Sequence, residues 1–148
     1  MGLFDGLMGA RQLDKEKLTG PEAFAGILVA IADADGDLSD EEAGVLINSL
    51  TSMRLFANYG PDERSRLYDK LFTISRKRGA AALMASAIPA CPPDLREAVF
   101  TRAVDMVLSD GVVEDVERKL LSQLKSALQI PDELSNMIIK VIQLKYKG

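Results

Sequence analysis

Two stretches of this chain repeat one pattern of acid, glycine and apolar residues. The first is Asp35-Gly36-Asp37-Leu38-Ser39-Asp40-Glu41-Glu42, followed by Leu46. The second is Asp110-Gly111-Val112-Val113-Glu114-Asp115-Val116-Glu117, followed by Leu121. Both read Asp-Gly-x-apolar-x-x-x-Glu-x-x-x-Leu at a constant offset, and each follows an apolar helical stretch. That is the mark of a duplicated helix–turn–helix unit. Each copy has to end a helix at Asp-Gly, turn, bury Leu38 or Val113, and begin a second helix with Glu42 or Glu117 in its first turn.

The segments around the repeat read as helices. Thr19 is placed to cap a helix that opens with Pro21 and Glu22 and carries Phe24, Ile27, Leu28 and Ile31 at spacings of three and four. This helix ends near Ala34–Asp35, where Gly36 supplies the left-handed terminus. Ser39 with Glu42 forms a capping box for the next, whose stripe is Val45, Leu46, Ser49, Leu50 and Met53. Pro61 starts a helix to about Lys77, with Leu67, Leu71, Phe72 and Ile74 inward. An Ala-rich helix follows over 80–88, and Pro89, Pro92 and Pro93 mark a boundary. The stretch 94–109 is helical, with Ala98, Val99, Ala103, Met106 and Val107 inward. Two more helices cover about 114–128 and the segment after Pro131, the last carrying Leu134, Met137, Ile138, Val141 and Leu144. A short polar helix is expected over 11–18. No segment alternates with the period of two that a half-buried strand requires. The expectation is an all-α protein of seven to eight helices, packed as an antiparallel bundle from two similar units. Residues 1–20 would be a tail with a short helix, and 21–148 the helical domain.

Composition narrows the chemistry. The 148 residues include no histidine, which removes imidazole metal ligands, serine–histidine nucleophiles and histidine bases. With 22 acidic against 18 basic residues the net charge is −4, contrary to the basic face that nucleic-acid binding needs. The single cysteine, Cys91, allows no intrachain disulfide and points to a reducing compartment. Lying between Ala90 and Pro92, it reads as a small packing residue. No apolar run reaches the ~18 residues of a membrane span. The opening Met1–Gly9 lacks signal-peptide character and reads as a docked or free tail; its sharper reading is a membrane-surface or partner contact through Leu3, Phe4, Leu7 and Met8.

Six acids and no base lie around the first turn: Asp33, Asp35, Asp37, Asp40, Glu41 and Glu42. Clustered carboxylates repel unless protons or a cation neutralise them, and hard cations such as Ca²⁺ or Mg²⁺ prefer oxygen ligands. The candidate cation ligands are Asp35, Asp37, Glu42, Asp110 and Glu117. Asp33-Ala-Asp35-Gly-Asp37 opens like an EF-hand loop, but Leu38 stands where that loop needs glycine and Glu42 arrives two residues early. The competing reading is local: Asp and Gly are turn residues, and Glu42 and Glu117 serve helix starts. Both stay open.

The doubled Ala-Asp35-Gly36-x-Leu38-x-x-x-Glu42 and Ser-Asp110-Gly111-x-Val113-x-x-x-Glu117 resemble the TerB-like tellurite resistance family, over about Pro21 to Leu144. The resemblance implies about seven helices in two antiparallel layers, a cytoplasmic bacterial protein linked to tellurite and stress resistance, an acidic surface suspected of metal binding, and no established enzymatic activity. Carried over by position, the acidic site would be Asp35, Glu42, Asp110 and Glu117. The second copy has Ser109 and Val112 where the first has Ala34 and Asp37, so its turn is less acidic.

The reading is therefore a non-enzymatic binding module whose partners are other proteins, with no catalytic residues and with a divalent cation, Ca²⁺ or Mg²⁺, as candidate cofactor. The alternative is a scaffolding protein without a metal site. A homodimer is compatible with either.

Overall fold

The computed structural model describes residues 2–7, 16–111 and 113–148, and among them there are seven α-helices and no strand. These are α1 (Gly20–Ala32), α2 (Asp40–Thr51), α3 (Pro61–Arg78), α4 (Ala80–Ala90), α5 (Arg96–Val107), α6 (Asp115–Leu128) and α7 (Asp132–Lys145), with short 3₁₀ turns at Asp5–Leu7, Arg54–Phe56 and Pro93–Leu95. All but three residues of the helix expected over 11–18 lie outside the described residues; Glu16–Leu18 are not helical. The chain forms two compact units, Met1–Cys91 and Pro92–Gly148. The division falls at the Pro92–Pro93 pair.

In the first unit α1 is the central helix. Every residue from Ala23 to Ile31 is buried, so its burial is all-round rather than confined to the stripe of Phe24, Ile27, Leu28 and Ile31. α3 and α4 pack against it. The close approach of α4 depends on small residues: a Cβ at Gly26 would lie 3.4 Å from both Ala87 Cβ and Leu83 Cδ1. Thr19 caps α1 as expected, its hydroxyl accepting from Glu22 N while the Glu22 carboxylate accepts from Thr19 N. Glu22 is also paired with Lys70 of α3 at 3.0 Å. Burial alone would raise the Glu22 carboxyl, but the Thr19 backbone hydrogen bond and Lys70 outweigh it and hold it below the usual range. Phe4 is buried, and its 3₁₀ turn packs on α4, so Phe4 is not presented to a membrane surface. Met8 lies outside the described residues.

The boundary at the prolines is later than expected. α4 runs through Pro89 to Ala90. Proline's fixed φ is helical, and in a last turn its missing N–H removes a single helix bond. Cys91 follows as the C-cap, 2% exposed, in keeping with a packing role. In the second unit α5 packs against α6, α7 and the Pro93–Leu95 turn. Its inward residues are Val99, Phe100, Ala103, Val104 and Val107; Ala98 is exposed and Met106 half-buried, contrary to expectation. The α2 stripe holds at Leu46, Leu50 and Met53, but its Val45 is 68% exposed and its Ser49 exposed, and in the α7 stripe Met137, Val141 and Leu144 are 57–60% exposed. α7 turns Ser135 and Ile142 inward instead. No helix among the described residues is long and apolar enough to cross a membrane.

Candidate functional site

The two Asp-Gly turns have the same backbone construction. In the first, Asp33 caps the C-terminus of α1, and Gly36, at φ +78°, donates its N–H to Asp33 O at 3.0 Å. In the second, Leu108 caps α5, and Gly111, again at φ +78°, donates to Leu108 O at 2.9 Å. Positive φ is cheap only for glycine, which is why both copies place one there. Each turn then feeds an extended cap, Ser39 or Glu114, and a glutamate three residues on accepts from the cap's N–H: Glu42 from Ser39 at 3.1 Å, Glu117 from Glu114 at 3.0 Å. Gly36→Ala and Gly111→Ala should each cost about 1 kcal/mol, because each puts a side chain on a positive-φ backbone. Urea denaturation of the two variants measures this.

The glutamates of the repeat are thus committed to helix starts. Ser39 completes the box in the first unit, its hydroxyl accepting from Glu42 N at 3.1 Å. Leu38 and Val113 are half-buried, and Leu46 and Leu121 fully buried, so the apolar positions of the repeat seat the second helix of each pair.

The aspartates of the first turn divide into two kinds. Asp33 is tied inward: its Oδ1 accepts from Leu38 N at 3.3 Å and its Oδ2 from Ser75 Oγ of α3 at 2.6 Å, with Ser75 only 4% exposed. It fastens the turn to α3. Asp35 and Asp37 are exposed; Asp35 Oδ1 accepts from Asp37 N at 3.0 Å, a local turn that leaves the Asp37 carboxylate outward. Asp35, Asp37 and Glu42 belong to the first unit, Asp110 and Glu117 to the second. Among the described residues, no three Asp, Glu or Cys side chains come close enough together to share a cation.

The first unit adds a feature that the motif did not indicate. An open cleft of about 810 Å³ runs beside the turn. Asp33, Asp35 and Asp40 line it together with Ala43 and Ile47 of α2, and Tyr68, Asp69, Phe72 and Arg76 of α3. Four carboxylates and two guanidiniums, Arg76 and Arg78, face this space, leaving it acidic on balance. Arg78 is also paired with Glu16 at 2.9 Å. Tyr68, Phe72 and Arg76 recur every four residues, so one face of α3 could have been recognised as a wall. Nothing in the sequence placed that wall opposite the Asp35 turn.

The model of the family described as tellurite resistance protein TerB matches residues 21–139. Among curated proteins and among solved structures, none matches this chain. The family match takes in both units and both copies of the Asp-Gly turn, and on that ground the chain belongs to the TerB tellurite resistance protein family.

Proposed function

We propose that this protein is a non-catalytic binding module of a tellurite- and stress-resistance system, and that the acid-rimmed cleft of its first unit receives a basic segment of a partner protein. The observation that carries this reading is the position of Asp35 and Asp40 on a cleft that also offers Tyr68 and Phe72. Outward carboxylates attract a cationic side chain, and the aromatic and aliphatic wall accommodates its stem. The chain supplies no histidine to act as base or nucleophile partner, which favours binding over catalysis.

A pull-down from native cell extract tests the proposal. The triple variant Asp35→Asn/Asp37→Asn/Asp40→Asn should lose most of the bound partner, and Asp110→Asn should not. Retention by the unaltered protein should fall several-fold as salt rises from about 0.05 to about 0.5 M, because the screening length shortens over that range. Equal retention by the triple variant would sink the reading.

A second reading, a divalent cation at the first turn, draws on the two exposed carboxylates that flank Gly36, since Ca²⁺ and Mg²⁺ take oxygen ligands. Isothermal titration with each cation should then release heat that Asp35→Asn/Asp37→Asn abolishes. No heat and no change in melting temperature would remove it.

A further inference from the structure

The last helix of the second unit has two apolar faces, and among the described residues only one of them is buried. Ser135 and Ile142 point inward, 3% and 8% exposed. A separate stripe of Leu134, Met137, Val141 and Leu144 runs along the helix at steps of three, four and three residues. Leu134 is half-buried, while Met137, Val141 and Leu144 are 57%, 57% and 60% exposed. This spacing is that of the seam of a two-helix coiled coil, and three large exposed apolar side chains in one line are more than scattered surface residues would place there.

We propose that this stripe is the contact of a homodimer, in which α7 packs antiparallel against α7 of a second copy. Charge selects both the occupant and the direction. Asp132 and Glu133 stand at the start of α7, Lys140 and Lys145 in its second half, and Lys147 two residues past its end; Asp132 is paired with Lys125 and Lys145 with Asp105, which leaves Glu133, Lys140 and Lys147 to meet a second copy. An identical helix laid antiparallel brings the acidic start of each α7 beside the basic end of the other, Glu133 towards the second copy's Lys147 just past its helix, and opposes the two helix dipoles; a parallel pair would set like charges and like dipole ends together. In the antiparallel register, Leu134 meets the second copy's Leu144 and Met137 meets its Val141. The twofold axis then lies level with Ile139. The same register brings each Lys140 close to its counterpart beside the axis, which is its one like-charge contact.

Four apolar side chains from each copy make a small interface, below the ~1,200 Å² lower end of stable complexes, so the dimer is a weak one with a dissociation constant on the order of 10 µM. Sedimentation velocity on the full chain, run on both sides of that concentration, should show monomer passing to dimer. Met137→Glu/Val141→Glu should stay monomeric throughout. These side chains are exposed, so its far-UV circular dichroism and melting temperature should match the parent's at low concentration; should they not, Met137→Gln/Val141→Thr serves the same purpose. Lys140→Gln should strengthen the dimer several-fold by removing the like-charge contact. A chain that is monomeric at every concentration, or a dimer that survives the α7 double variants, overturns the proposal. A dimer indifferent to Lys140→Gln overturns the antiparallel register.

Discussion

Phe100→Ala is expected to destabilise the protein by about 3–5 kcal/mol, the largest effect of any single truncation considered. Phe100 is fully enclosed in the core of the second unit, beside Val99, Ala103 and Val104, each 0% exposed. Removing the ring forfeits its transfer from water and leaves a cavity that α6 and α7 can close only in part. Domains have only about 5–15 kcal/mol of total stability, so the loss is a large share of it. Val45→Ala is the matching control. Its side chain is 68% exposed, and the change should stay within about 0.5 kcal/mol. Urea denaturation followed by circular dichroism separates the two. The pair is informative because helical periodicity places Val45 inside and passes over Phe100. A Phe100→Ala loss below about 1 kcal/mol would mean that Phe100 is not enclosed in the core.

The second large effect concerns the end of α7. Asp105 of α5 accepts from Lys145 Nζ at 2.9 and 3.1 Å and from the Tyr146 hydroxyl, and Lys145 Nζ also lies 5.0 Å from the centre of the Tyr146 ring. The Asp105 side chain is 24% exposed. Burial alone would raise its carboxyl; the hydrogen bonds from Tyr146 and Lys145, with the charges of Lys145 and Arg102, outweigh this and hold it below its ordinary 3.8. Hydrogen bonding to Asp105 in turn holds the Tyr146 phenol above 10.0 and the Lys145 ammonium above 10.5. Asp105→Ala should cost about 2 kcal/mol near neutral pH, the scale of hydrogen bonds to a charged group. Asp105→Asn should cost less, because it keeps an acceptor for Tyr146.

These shifts fix the sign of the pH dependence. The Asp105 carboxyl is depressed in the fold, so its contribution is complete above 3.8 and is lost as pH falls through the lower folded value. The Tyr146 and Lys145 shifts are upward, so theirs is complete below 10.0 and is lost as pH rises beyond the folded values; the Lys145 side chain is 53% exposed, so solvent screening makes its share the weaker. The stability difference between the parent protein and Asp105→Asn should therefore be level through neutral pH and shrink in acid. Melting curves across that range measure it. A difference that persists undiminished well below pH 3.8 would rule out the charged clasp.

Much of the local structure was legible in the residues, for a consistent reason: it is decided by atoms a few positions apart. The Thr19 cap and the Ser39–Glu42 capping box are patterns within four residues, and both form. The glycines at 36 and 111 were required by the turn itself, and both take positive φ. The acidic site was only half legible. The motif located Asp35 and Asp37 on an exposed turn, and local capping chemistry accounts for Glu42 and Glu117. The tie from Asp33 to Ser75 spans 42 positions and lies beyond any local pattern.

The sequence by itself determined that the chain is all-helical, that it contains a duplicated Asp-Gly turn, where most helices begin and end, and which family it resembles. These follow from backbone preferences, capping and periodicity, which act over one or two turns of helix. Only the tertiary structure decided which apolar faces are buried. Val45, Met137, Val141 and Leu144 satisfy helical periodicity as well as Leu46 and Ile142 do, yet they stay exposed. Periodicity says that a face is apolar; burial requires another element to reach it, and that depends on contacts between residues far apart in the chain. For the same reason only the fold could set α3 beside the Asp35 turn and turn a row of acids into the rim of a cleft.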